Sequence, residues 1–205
     1  MFKHTSIILL LSAVFVGCAD DQGTGSKSSE SAVSVSGRLC VPVEYVIRAD
    51  DAGFPTESDG PNLSGLSVGI AISASEVSES VNQYAAEMRV GDKNIPQDLF
   101  VMFKPKSIIW KEGGNDYAHP IAGADGLVRR DSSSLAWTVT SGDVLSAGYW
   151  GSCTDYFEEA GKFECLRQHQ FEGLVFEYTI ESENIKLYSQ VDQFLVEKFS
   201  AWKCP

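Results

Sequence analysis

The chain has 205 residues, 43% of them hydrophobic and 21% charged, which is the composition of one globular domain with enough apolar side chains for a real core. Its formal net charge is −12. A surface so acidic argues against nucleic acid, which selects basic faces, and against adhesion of the folded domain to anionic lipid headgroups; it favours fast encounter with a basic partner.

The first segment has a polar head, Lys3-His4, and then ten mostly apolar residues, Ile7 to Val16. That run is too short to cross a bilayer, which takes about 20 residues, and has the length of a secretory signal's hydrophobic region. It ends in Phe15-Val16-Gly17-Cys18, which resembles a bacterial lipobox. The resemblance implies lipidation of the Cys18 thiol, cleavage after Gly17 and acylation of the new amino terminus. Ala19, not Asp, follows Cys18, and by the sorting logic of such lipoproteins this implies the periplasmic face of the outer membrane. Residues 1–17 are then the signal peptide. Residues 18–36 are the lipidated cysteine and a Gly/Ser-rich tether, a coil of roughly 23 Å, and residues 37–205 form a single globular domain beginning near Gly37.

From there the signals are mostly strands. Arg38 to Ile47 alternates Val43, Tyr45 and Ile47 with other residues, and Leu66 to Ser73 alternates Val68, Ile70 and Ile72. Leu99 to Lys104 and Ser107 to Trp110 flank Pro105, a turn or an edge. Ser134 to Thr140 puts Leu135, Trp137 and Val139 on one face. Gly173 to Glu181 is the clearest strand, with Leu174, Phe176, Tyr178 and Ile180 inward and Glu177, Thr179 and Glu181 outward. Two stretches have helical spacing instead. Val77, Val81, Tyr84 or Ala85, and Met88 predict a helix capped by Ser75, with Ser78 where a capping box prefers an acid. Tyr188, Val191, Leu195, Phe199 and Trp202 predict a C-terminal helix across Asn184 to Trp202. The fold class is α+β: a mainly antiparallel sheet with one or two helices packed on it.

Without Cys18, four cysteines remain: Cys40, Cys153, Cys165 and Cys204. An even set in an exported protein reads as two disulfides. Three pairings are open; the preferred one joins Cys153 to Cys165 across a short local loop and Cys40 to Cys204 across the domain. No C-x-x-C is present for zinc.

Catalytic signals do not survive their context. Gly65 to Gly69 matches the G-x-S-x-G elbow around Ser67, but a loop precedes it and a strand follows, the reverse of what that motif needs. His119 lies in a polar loop near Asp116, and nothing in the spacing assembles them with Ser67 into a triad. His169 is placed at the start of a strand. The acid pairs read as solvated faces, and neither a calcium loop nor a phosphate loop is present. We expect no enzyme, no metal and no cofactor. Two acidic segments are candidate contact surfaces. The first is the loop from Cys153 to Cys165, with Asp155, Tyr156, Phe157, Glu158 and Glu159; covalent closure lowers the entropy lost on binding, aromatics give contact energy and acids steer a basic partner. The second is Ala49 to Asn62, with Asp50, Asp51, Glu57 and Asp59.

The stretch Gly37 to Ile47, with its Cys40-Val41-Pro42 and Glu44-Tyr45, resembles the opening of small lipoproteins that act as immunity proteins against type VI secretion toxins. The resemblance implies a periplasmic inhibitor that binds a secreted toxin and occludes its active site. A structural or assembly lipoprotein that binds another envelope protein is the alternative, and a small hydrolase using Ser67 is a third. In each, the membrane is met only through the anchor.

Overall fold

Alternation of apolar and polar residues is sharpest at 173–181, and that stretch lies inside the sheet, beside its middle strand. The structure is a computed structural model that describes residues 32–47, 68–109, 117–131, 135–141, 148–156 and 160–205. Cys18, the leader, and the acidic loop with Asp50, Asp51, Glu57 and Asp59 lie outside these residues.

The elements, in chain order, begin with β1 (Ala32–Val35), β2 (Leu39–Pro42), β3 (Val46–Ile47), β4 (Gly69–Ile72), α1 (Ala74–Ser80), β5 (Glu87–Val90), β6 (Lys93–Pro96) and β7 (Leu99–Lys104). Then come β8 (Tyr117–Pro120), β9 (Leu127–Asp131), β10 (Ala136–Ser141), β11 (Gly148–Asp155), β12 (Phe163–Phe171), β13 (Leu174–Glu181) and α2 (Tyr188–Ala201). Among the described residues, nine strands form one sheet in the order β3-β4-β7-β13-β12-β11-β10-β9-β8, and every pairing in it is antiparallel. Hairpins β1–β2 and β5–β6 stand beside it. The fold is thus α+β and mainly antiparallel, with two helices, one of them C-terminal.

The core lies between the sheet and α2. On β13 Leu174, Phe176, Tyr178 and Ile180 all point into it. Opposite them Phe199 of α2 sits among rings: 5.0 Å from Phe176, 5.8 Å from Phe103, 5.9 Å from Phe171 and 5.9 Å from Trp202. Polar groups also fix the helix. Asp192, buried on α2, accepts from the Tyr178 hydroxyl at 2.8 Å and from Arg167 at 3.0 Å. Arg167 in turn lies over the Trp150 ring.

Both preferred disulfides are present, Cys40–Cys204 and Cys153–Cys165. The first ties β2 to the residue pair after α2. Backbone bonds flank it, from Cys40 N–H to the Trp202 carbonyl at 2.7 Å and from Cys204 N–H to the Arg38 carbonyl at 3.0 Å. The C-terminal end thereby joins the edge of the first hairpin.

Several expectations are corrected. The first strand begins at Ala32, inside the stretch read as tether, and Val35 is fully buried. The expected strand through 38–47 breaks at Pro42, which caps a 3-10 turn over Val43–Tyr45, because proline has no N–H for a ladder. The first helix stops at Ser80. Its cap is Ser73, whose hydroxyl accepts from the Glu76 N–H at 3.3 Å, so Ser73 and Glu76 stand at capping-box spacing, not Ser75 and Ser78. Val81, Tyr84 and Met88 are buried as expected, but they reach the core from a turn and from β5. Ser107 to Ile109 is irregular rather than a strand. Leu135 is half exposed, unlike Trp137 and Val139. His169 lies well inside β12. Finally, Glu177 and Glu181 are buried, at 4% and 7% exposure, although alternation puts them outward. Their cover comes from segments distant in sequence. The chain after β7 crosses β13 to reach Gln168 on β12 and lies over Glu177, whose carboxylate pairs with Lys104 at 2.8 Å.

Truncating Phe199 to alanine removes the ring at the centre of the aromatic cluster. Phe199→Ala should cost about 3–5 kcal/mol in urea denaturation, the scale of a buried aromatic lost with little collapse around it.

Candidate functional site

The stapled hairpin is built from β11 and β12. Cys153 and Cys165 are direct register partners, as are Asp155 and Phe163. The strands therefore run past the disulfide, and the Tyr156 N–H still bonds to the Lys162 carbonyl at 2.9 Å. Strand β11 approaches β12 closely at Gly151, where a Cβ would stand 2.3 Å from the Leu166 carbonyl oxygen, so only glycine fits this register.

Of the contact residues expected here, Asp155 and Tyr156 are described, and both engage side chains of the domain itself. The Asp155 carboxylate accepts from the Trp137 indole N–H at 2.9 Å and from both terminal nitrogens of Arg129 at 3.3 and 3.1 Å. Arg129 stacks on Trp137 at 4.2 Å, and Phe163 meets that indole edge-on at 5.1 Å. Asp155 thus joins β9, β10 and β11 in one polar and aromatic knot. Across the sheet, the Tyr156 hydroxyl lies 3.2 Å from both carboxyl oxygens of Glu181. Glu181 stands opposite Glu164 in the register. Lys162 pairs with Glu183 beside them. Phe157, Glu158 and Glu159, the middle of the loop, lie outside the described residues.

The carboxyl pair sets the electrostatics. Burial first, then the charge of Glu164, then its hydrogen bond, push the Glu181 carboxyl from 4.5 up to about 8; the Tyr156 hydroxyl opposes them by favouring the ionised form. Near neutrality the Glu181 carboxyl therefore keeps its proton, which relieves its repulsion by the facing Glu164 side chain. Tyr84 also faces Glu181. Its hydroxyl, donated to the Gln97 carbonyl at 2.6 Å, is pushed up by burial and then by the charge of Glu181.

The other candidates are described only in part. Of Ser67, Asp116 and His119 only His119 is described, exposed on the edge strand β8. His169 packs edge-on to Phe176 at 5.6 Å, with Nδ1 3.9 Å from Asp192. Burial lowers its pKa against the pull of Asp192, so the imidazole is neutral at pH 7 and serves the helix interface. Among the described residues, no three His, Cys, Asp or Glu side chains gather to hold a metal, and no helix is long and apolar enough to cross a membrane.

Sequence reasoning missed Arg129, Trp137 and Glu181 as parts of this site. Only the alternation of β13 hinted at one of them, by placing Glu181 on the face opposite the core. The chain matches no family model, no curated protein and no solved structure. The site's meaning rests on its own geometry.

The raised pKa has a defined sign. Below pH 4.5 both folded and unfolded chains hold the Glu181 proton, and the hairpin's full stability is present. As pH rises from there to about 8, the unfolded chain releases the proton first and stability falls. Urea midpoints should therefore drop across that interval, and Glu181→Gln should flatten the profile. A wild-type midpoint independent of pH over this range would contradict the raised Glu181 pKa.

Proposed function

We propose that this chain is a non-catalytic binding protein of the bacterial envelope, acylated at Cys18 on the periplasmic face of the outer membrane. It acts as an immunity-type inhibitor that occludes a secreted, envelope-targeting toxin. The observation that supports this reading best is the stapled hairpin. Its base is fixed by a disulfide directly across β11 and β12 and by the engagement of Asp155 and Tyr156 with Arg129, Trp137 and Glu181. Covalent closure at the base lowers the entropy lost on binding, and the sequence of the middle, Phe157-Glu158-Glu159, sets a hydrophobic residue beside acids, which suits the entrance of a basic, partly apolar active site. The lipobox resemblance supports the same compartment, and the net charge of −12 supports a basic partner.

The test is capture of partners from envelope extracts, including those of cells challenged by a competing strain, followed by binding measurements. A secreted toxin should be recovered and its activity blocked. Phe157→Ala should weaken that complex by more than about 1 kcal/mol, as a contact residue does, and Glu158→Lys with Glu159→Lys should slow association. Recovery of an envelope assembly component and no toxin would favour the structural-lipoprotein reading.

A further inference from the structure

Six large hydrophobic side chains stand exposed among the described residues, and four of them fall within residues 100–109 of the sequence. Phe100 and Met102 occupy outward positions of β7, and Ile108 and Ile109 follow in the segment that crosses the sheet. Ile109 is 80% exposed and Ile108 49%. The isoleucines are held in this position. The buried Gln168 side chain accepts from the Ile108 N–H at 2.6 Å and donates to its carbonyl at 3.2 Å, while Gln170 donates to the Ser107 hydroxyl at 2.6 Å. A buried amide is thus committed, at both ends, to fixing the backbone of residues that do little for the core. Between them and Lys104 the segment lines a hollow of about 520 Å³.

We propose that this segment, Lys106 to Ile109, is a membrane-contacting patch whose occupant is the surface of a phospholipid bilayer. Two features choose lipid over protein. The first is charge. In a chain of net charge −12 the sequence here reads Lys104-Pro105-Lys106-Ser107-Ile108-Ile109. Glu177 neutralises Lys104, and among the described residues no ion pair is formed by Lys106, which leaves its ammonium to meet a headgroup phosphate. The second is size. Four side chains, three of them less than half exposed, offer far less than the roughly 800 Å² that a standard protein interface takes from each partner. They suffice for shallow insertion at the headgroup–acyl boundary, where isoleucine is buried and lysine stays in the polar layer. The acidic remainder of the domain opposes anionic lipid at long range, so the patch orients a domain already held at the bilayer. It rests in that respect on the acyl anchor proposed above, and not on the toxin.

The full chain, with a photo-reactive residue in place of Ile109 or, as control, of the exposed Glu79 on α1, is illuminated on vesicles of phosphatidylethanolamine and phosphatidylglycerol. Lipid adducts at position 109 should exceed those at 79 by about five-fold or more, and Ile108→Ser should lower them toward the control, as expected for apolar insertion. Equal yields at the two positions, or adducts at 109 to protein instead of lipid, would overturn the patch. The mass of the N-terminal peptide reads the anchor independently, so an unacylated Cys18 and an inert patch give different results.

Discussion

A carboxylate inside the domain determines where everything else goes. Asp192 lies on the buried side of α2, and a buried charge is costly unless paired. Tyr178 and Arg167 supply the pairing from two adjacent strands, β13 and β12. Meeting both donors together fixes the rotation of α2 and its height above the sheet. Only in that pose does Phe199 reach Phe103, Phe171 and Phe176, and only then does the chain leave the helix with Cys204 beside Cys40. Apolar burial supplies the bulk of the stabilisation, but it is non-directional; the Asp192 pairing adds direction.

The two faces of the sheet divide the labour. The face toward α2 is the core. The other is polar yet covered in two places, by different means. Near the middle, the segment after β7 lies over Glu177 and is held by Gln168. Near the hairpin end, Tyr156 covers the Glu164–Glu181 pair. Alternation on β12 and β13 therefore does not separate wet from dry. It separates an apolar interior from a set of polar side chains that each hold a particular loop, and these loops carry both proposed surfaces.

What was legible in the sequence were features with local causes. Strand β13 declared itself because its even positions share one apolar environment over eight residues. The C-terminal helix was visible from its 3–4 spacing, though it starts at Tyr188 and not at Asn184; the Asn184 side chain is instead committed to the N–H and carbonyl of Ala85. The disulfide pairing followed from which cysteines were neighbours and which lay at the ends. The helix drawn through Met88 failed because a turn followed by a strand buries the same apolar residues that a longer helix would. The support behind the hairpin was illegible because Arg129, Trp137 and Asp155 meet only once β9, β10 and β11 are neighbours, and strand order is a long-range fact.

The bridge between Cys40 and Cys204 encloses nearly all of the described domain in one covalent ring. A protease that cuts once anywhere from Val41 to Lys203 opens that ring without shedding a fragment. Both pieces stay joined through sulfur, and the ends produced by the cut remain within the reach of the packing that held them. A single nick within the ring is then an injury that the fold can survive, and a second cut inside it is needed before any part of the ring is lost.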